Sequence, residues 1–410
     1  MPTTRRRVLP AKNNRHNAVR ACRPEIELIL ACCRSPRQSS ADCAVLQIID
    51  SGIDWKLLLE LMDFHRVALI VGRQLLTIGP AEVPEWVTAQ VRYSQREATL
   101  KGMGQTVELL RILKLLQENG VRAIPFKGSV LAQYLYGDLG LRESSDIDLL
   151  VEQREVLNIK RILASIGYLP WSHLPPTQET ALIRSACVYE LHNPGKGLHV
   201  ELHWKTTKHP SLPFPSDFVR TRQQETSIGG MQIKTLLPQA LLLLLCVHGT
   251  KHSWRKLRYV CDVADTVRVA GKIDWEGLLD SAGHLGARCM VLAGLSLAHG
   301  LLEAPLPDEI QQEIQKNLQV ERIAAERSDE LYRSRQEEPG YWSICRFNLR
   351  SFDNWHGRLR YLTHMLLSPG VEDFKAARLP RFLFPFYPCI RLFRLFGQVT
   401  LPINPTSSDH

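Results

Sequence analysis

The chain alternates between two hydrophobic rhythms. Long stretches carry apolar residues three and four apart, the spacing of amphipathic helices, and they flank a middle region where apolar residues alternate singly with polar ones. The helical rhythm predicts helices over Glu25 to Cys33, from Ile53-Asp54-Trp55 with a stripe of Leu57, Leu58, Leu61 and Phe64, and across Pro84 to Glu118. The last is read as one or two helices interrupted near Gly102 and Gly104, with Asn119-Gly120 ending it. Asp54 is a natural N-cap, and the phrase returns at Ile273-Asp274-Trp275. His65 and His284, which lie just beyond the two phrases, are read as packing or capping residues. Further helices are predicted from Glu155 to Ile166, as a helix-turn-helix over Leu236 to Arg268, as two helices over Asp274 to Leu302, and over Asp308 to Glu330 and Trp355 to Leu367.

The period-two rhythm occupies the centre. Val121 to Phe126 is short and apolar, and Gly128 permits a tight turn into a helix over Val130 to Tyr136, with Ser129 as its N-cap. In Ser145 to Val151, Asp146 and Asp148 point to one face while Ile147, Leu149 and Val151 point to the other. Residues 169–180 hold three prolines and read as a loop. A hairpin comes next, from Ala186 to His192, through the turn Asn193 to Gly197, and back along Leu198 to Trp204. On its second strand His199, Glu201 and His203 share a face opposite Val200, Leu202 and Trp204. Strands bracketed by helices on both sides predict an α+β fold, a small mixed β-sheet core with mainly helical flanking regions. The predicted division is a disordered basic tail over 1–24, a helical region over 25–118, the sheet core over 119–235, a helical domain over 236–370 and an apolar, basic tail over 371–410.

Charge sharpens this division. The formal net charge is +9, but residues 1–24 hold seven basic residues and no acid, and residues 374–398 hold five more and no acid. The body between is therefore slightly acidic, which disfavours a nucleic-acid partner bound through its phosphates. Ten cysteines are scattered without a Cys-x-x-Cys pair, which argues against a structural zinc site and fits buried thiols in a reducing, cytoplasmic setting. No apolar run reaches the length of a membrane span. In the tail, Arg381 to Phe396 alternates aromatic and aliphatic residues with arginines. It could rest on an anionic membrane, dock on a partner, or cover an apolar groove of its own protein.

The chemistry converges on the centre. A helix start presents unsatisfied N–H groups, so the turn at Lys127, Gly128 and Ser129 suits a phosphate. Two carboxylates on one strand face repel each other, and a hard divalent cation such as Mg²⁺ relieves that repulsion. Together they suit metal-assisted nucleotidyl or phosphoryl transfer. Lys127 and Arg142 are candidate phosphate contacts, and Arg142 could instead pair with Asp146 or Glu143. The His199-x-Glu201-x-His203 alternation would hold zinc only with a further ligand, and His248 and His252 share a helical face but have no glutamate beside them in the helix.

Phe126-Lys127-Gly128, Tyr136-Gly137, Leu141-Arg142 and Asp146-Ile147-Asp148-Leu149-Leu150-Val151 resemble the bacterial uncharacterised nucleotidyltransferase family, within the superfamily typified by DNA polymerase beta. The similarity runs from about Pro24 to about Phe374, and the gap from Ser129 to Asp146 is longer than in minimal members. The resemblance implies an NTP as substrate, with Mg²⁺ at Asp146 and Asp148. It also implies a third carboxylate at Glu201 that completes the metal site or takes the acceptor's proton, and a triphosphate contact from Lys251 or His252 across the cleft. The resemblance thus leads to the expectation of an enzyme that moves an NMP to a hydroxyl or similar acceptor on a small molecule, peptide or protein. The other reading is a non-catalytic nucleotide-binding scaffold recruited to a membrane or biosynthetic complex.

Overall fold

A computed structural model describes residues 23–34, 43–78, 81–205, 212, 221–333 and 340–400. Most of the tail expected over 1–24 and the loop expected over 35–42 lie outside the described residues. The fold is α+β. Five short strands form one mixed sheet: β1 (Ile124–Pro125), β2 (Asp146–Leu150), β3 (Leu169–Pro170), β4 (Val188–Asn193) and β5 (Leu198–His203), in the order β1-β2-β5-β4-β3. β2 and β5 run parallel, and the other neighbours are antiparallel.

The period-two pattern decides what each face of the sheet meets. Ile147, Leu149, Val200 and Leu202 share a core with Leu109, Ile112 and Leu116 of helix α5 (Glu85–Glu118) and with Val156, Ile159 and Leu163 of α7 (Val156–Ala164). The opposite face carries the acids. Phe126, Leu150 and residues of α6 (Gly128–Tyr136) beside it join a second, larger core. That core gathers helices from both ends of the chain. They run from α1 (Pro24–Arg34) through α2 (Cys43–Asp50), α3 (Trp55–Phe64) and α4 (Ala68–Ile78) to α9 (Pro238–Lys251), α10 (Leu257–Val269) and the helix Arg288–Leu302. Leu241 to Val247 of α9 are buried on every side of the helix, as a helix apolar all round must be. Gly249 and Gly294 let the Trp254 ring lie against two backbones, because a Cβ at either would come within 2.4 and 2.7 Å of the packed side chains. The acidic face thus lies at the seam between the two cores.

The caps at Asp54 and Asp274 are present: Asp54 accepts from the N–H groups of Lys56 and Leu57, and Asp274 from that of Gly277. His65 is buried and caps α3, and its Nδ1 lies 3.4 Å from the Leu257 N–H; His284 is exposed. Elsewhere the structure departs from the periodicity. α5 is one continuous helix through Gly102 and Gly104. Gly102 does not break it; its missing side chain admits the Leu139 carbonyl, which would sit 3.0 Å from a Cβ there. The stretch 169–180 is not a loop throughout, since β3 opens it and α8 (Pro176–Ser185) begins at Pro176, a first-turn position where a missing N–H costs nothing. β6 (Gln223–Ile228) and β7 (Met231–Leu236) form a hairpin the pattern does not predict, turned at Gly229-Gly230 with both φ values positive. The described cysteines are free, and all but Cys43 and Cys389 are buried. The C-terminal segment packs on its own protein through Tyr387 and Leu395, while Phe382, Phe386 and Phe393 face outward.

Candidate active site

Parallel pairing of β2 with β5 sets Asp146 beside His199, Asp148 beside Glu201 and Leu150 beside His203. Neighbours two residues apart on adjacent strands share a face, so Asp146, Asp148, Glu201 and His203 meet on the side away from the first core. His203 Nε2 lies 2.9 Å from Asp148 Oδ1 and 3.1 Å from Glu201 Oε2. The imidazole is buried, and its edge meets the Phe126 ring at a centroid distance of 5.5 Å. A metal-sized group with ligand atoms within 4.8 Å of one another is formed by Asp148, Glu201 and His203. Asp146 stands next to it rather than within it. Ser144 holds it there, with its Oγ 2.9 Å from the Asp146 carbonyl and 3.4 Å from Asp146 Oδ1.

The expected cap at Ser129 is displaced. α6 begins at Gly128, Lys127 occupies the cap position with no side-chain cap bond, and Ser129 is a buried residue of the first turn. Gly128 has φ +59°, a left-handed conformation that turns the chain sharply into the helix. A Cβ there would stand 3.2 Å from Ser144 Oγ and 3.3 Å from the Asp146 carbonyl oxygen, so the turn packs directly on the start of the acidic strand. Lys127 Nζ extends over the acids, 3.8 Å from Asp148 Oδ1 and 3.5 Å from His248 Nδ1.

Electrostatics set the acids apart. Burial, with Asp148 and Glu201 adding repulsion, pushes the Asp146 carboxyl up to about 6. Burial alone would also raise Asp148, but Lys127 and His203 outweigh it and hold that carboxyl below its ordinary value. Burial would lower His203, yet its hydrogen bonds to Asp148 and Glu201 raise it. Burial and the charge of Lys127 keep His248 well below the ordinary imidazole range, so it faces the lysine as a neutral acceptor.

The remaining predicted residues divide. Arg142 is engaged by Asp262. Its Nε and Nη2 donate to the two carboxylate oxygens of Asp262 at 2.8 and 2.9 Å, with both side chains buried, and it pairs with neither Asp146 nor Glu143. From α9, His248 reaches the glycine turn, its Nδ1 3.5 Å from Lys127 Nζ. His252 caps the helix and stacks on Tyr259 at 5.2 Å and 19°. The charge of Lys251 is felt at His248 and at Cys187, just before β4. His248 precedes His252 by one helical turn, and that spacing is the signal for a shared face. The role of His203 is the one that sequence reasoning misses. Side chains two apart on a strand converge poorly by themselves, and here Glu201 and, from the neighbouring strand, Asp148 each bring a carboxylate oxygen to His203 Nε2.

The family model described as "Uncharacterised nucleotidyltransferase" matches residues 51–303. The chain belongs to that family, and the matched stretch is narrower at both ends than the resemblance read from the motifs. No curated protein matches the chain. Among solved structures, it is similar to an antigenic nucleotidyltransferase-like protein from Paracoccidioides brasiliensis, at 16% identity, 50% coverage of this chain, 93% coverage of that one and a TM-score of 0.31.

The donors present suit a divalent ion. Two of the three carboxylates in this patch, Asp148 and Glu201, lie within reach of one centre beside a single imidazole, and Lys127 and His203 offset part of the patch's charge. Hard oxygen donors that outnumber the cations beside them favour Mg²⁺ or Mn²⁺ over a softer metal.

Proposed function

We propose that the protein transfers a nucleoside monophosphate from an NTP, ATP among them, to a hydroxyl or similar acceptor on a small molecule, peptide or protein. The acceptor oxygen bonds to the α-phosphorus, the α–β phosphoanhydride bond breaks, and pyrophosphate leaves. The observation that carries this reading is the contact between the Gly128 turn and the acidic strand, which sets a phosphate-binding helix start against Asp146, Asp148 and Glu201.

Each side chain then has a part. The N–H groups of the first turn of α6 hold the β- and γ-phosphates, and Lys127 neutralises them from above. Its ammonium is positioned between Asp148 and neutral His248. Asp146, Asp148 and Glu201 are the residues that would hold Mg²⁺, which would supply charge neutralisation at the α-phosphate. Glu201, less buried than Asp148 and His203, takes the acceptor's proton. His203 ties Asp148 to Glu201 from beneath. Lys251 or His252, on the helix that carries His248 and at its C-cap, contacts the triphosphate. The slightly acidic body fits a small or peptide acceptor better than a nucleic acid. The free thiols of the described cysteines fit a reducing, cytoplasmic setting.

Incubation with α-labelled NTPs and cell extract, with and without Mg²⁺, tests the reading. The wild-type protein is expected to transfer label in a Mg²⁺-dependent way, and Asp148→Ala to transfer none. Equal labelling by both would remove the site. NTP binding without consumption would favour the scaffold.

A further inference from the structure

We propose that the C-terminal segment docks the protein on an anionic lipid surface through the face bearing Phe382, Phe386 and Phe393. The inference is independent of the nucleotidyl-transfer reading. A turn of 3₁₀ helix, Arg381–Phe386, runs into the helix Tyr387–Thr400, and Phe382, Phe386 and Phe393 of this segment are 78%, 56% and 79% exposed. Phe386, Cys389 and Phe393 fall three and four residues apart, which places them on one side of a helix. Cys389 is exposed as well.

The opposite side is firmly fastened, so the outward set of the phenylalanines is a consequence of the packing. Tyr387 is buried; its hydroxyl donates to the Ala377 carbonyl at 2.8 Å and lies 2.9 Å from Gln178 Nε2. Arg391 and Arg394 both donate to the buried Asp373, at 3.0 and 2.8 Å, and Arg391 Nε donates to the Met365 carbonyl at 2.7 Å. Turning the helix to hide its phenylalanines would strand the Asp373 carboxylate without its arginines.

Charge selects the occupant. Residues 340–400 contain nine arginines and lysines against three acids, and no acid occurs from Phe374 to Thr400. Two of the three acids are already answered locally, Asp373 by the two arginines and Glu372 by Lys375. Arg360, Arg378 and Arg381 are exposed on the same C-terminal unit. Exposed aromatic side chains with exposed arginines, on a stretch without acids from Phe374 to Thr400, fit the interface of an anionic bilayer, where the rings enter the acyl boundary and the guanidiniums meet headgroup phosphates. Among the described residues no helix is long and apolar enough to cross a membrane, so the contact is with one surface.

Flotation of the full-length protein with phosphatidylcholine vesicles, and with vesicles containing half phosphatidylglycerol, tests this. Binding is expected on the anionic vesicles, weakened by at least about tenfold on neutral vesicles or in high salt. The triple variant Phe382→Ser, Phe386→Ser, Phe393→Ser should lose at least about tenfold in vesicle affinity while its circular dichroism and thermal midpoint stay unchanged. That variant keeps the N-terminal arginines, so undiminished binding would assign the effect to them and overturn the proposal. Absent binding by the wild type, or a change in self-association on light scattering with vesicle binding untouched, would overturn it too.

Discussion

The protein holds buried carboxylates in two settings that differ in how their charge is answered. On α10, Asp262 receives two hydrogen bonds from Arg142, and Asp265 receives Tyr136 and Arg268. Each acid there has a guanidinium of its own. On β2 and β5, Asp146, Asp148 and Glu201 crowd together beside Lys127 and His203. In the first setting each carboxylate is paired with a guanidinium within the fold. The second holds more carboxylates than the lysine and histidine can balance, and a fold retains such a cluster at a cost in stability. The contrast separates a structural ion pair from a crowded group whose donors suit a divalent ion, although both sets of acids are buried or half-buried and a few residues apart on regular elements.

Exchanging one residue in each setting should produce opposite outcomes. Asp148→Asn is expected to lower nucleotidyl transfer by about a thousandfold, the several kcal/mol that a held divalent ion supplies. It should leave the thermal midpoint within a few degrees, because it also removes a repulsion. Arg142→Met is expected to destabilise the fold by about 3–5 kcal/mol, because Asp262 would lose the guanidinium that answers its buried charge. Urea titration alongside an activity assay would separate the two. A large stability loss in Asp148→Asn, or a tolerated Arg142→Met, would erase the distinction.

Asp146 and Asp262 should differ in their pH response as well. The folded Asp146 carboxyl lies at about 6, above the 3.8 of a free carboxyl, so the folded state binds its proton first. Without metal, this group's ionisation opposes folding above pH 6, and the opposition is relieved as the pH falls from about 6 toward 4. Mg²⁺ or Mn²⁺ must displace that proton, so affinity measured calorimetrically should fall about tenfold per unit of pH below 6. Asp262 responds otherwise. Burial would raise it, but Arg142 outweighs that and holds it below its ordinary value, so it stabilises the fold until the pH drops through that depressed range. An affinity flat from pH 7 to 5 would show that Asp146 takes no part in metal binding.

Much of this is legible along the chain, and the rest is hidden for an identifiable reason. The alternation of Asp146 and Asp148 with apolar residues, the hairpin carrying Glu201 and the caps at Asp54 and Asp274 are local patterns, and they are present in the fold. The fold class is read from strands bracketed by helices. What the pattern cannot contain is pairing at a distance. Arg142 meets an acid 120 positions away, and no local spacing distinguishes Asp262 from Glu143 as its partner. His203 reaches Asp148 only because β2 and β5 pair in one particular register, 55 positions apart. A shift of one residue would turn His203 to the apolar side. The displaced cap at Ser129 goes with the left-handed Gly128, a conformation that a sequence shows as permission and never as requirement.

Gly128 offers the finest test of how the two halves of the site are joined. Alanine in its place would have to adopt φ near +59°, which costs about 1 kcal/mol or somewhat more for a residue with a Cβ. Its methyl would also press on Ser144 Oγ and the Asp146 carbonyl at 3.2 and 3.3 Å. Both atoms belong to the segment that positions Asp146, so the substitution should move the acidic strand relative to the helix start without removing any charged group. The expected result is a thermal midpoint lowered by only a few degrees, with a rise in KM for the NTP and a smaller fall in kcat, since the first turn of α6 and the acids no longer meet one nucleotide in register. Asp148→Asn should show the reverse division, kcat falling far more than KM rises. If Gly128→Ala lost stability and kept its KM, the turn would be a packing device, like the Arg142 pair, and the phosphate would have to be held elsewhere.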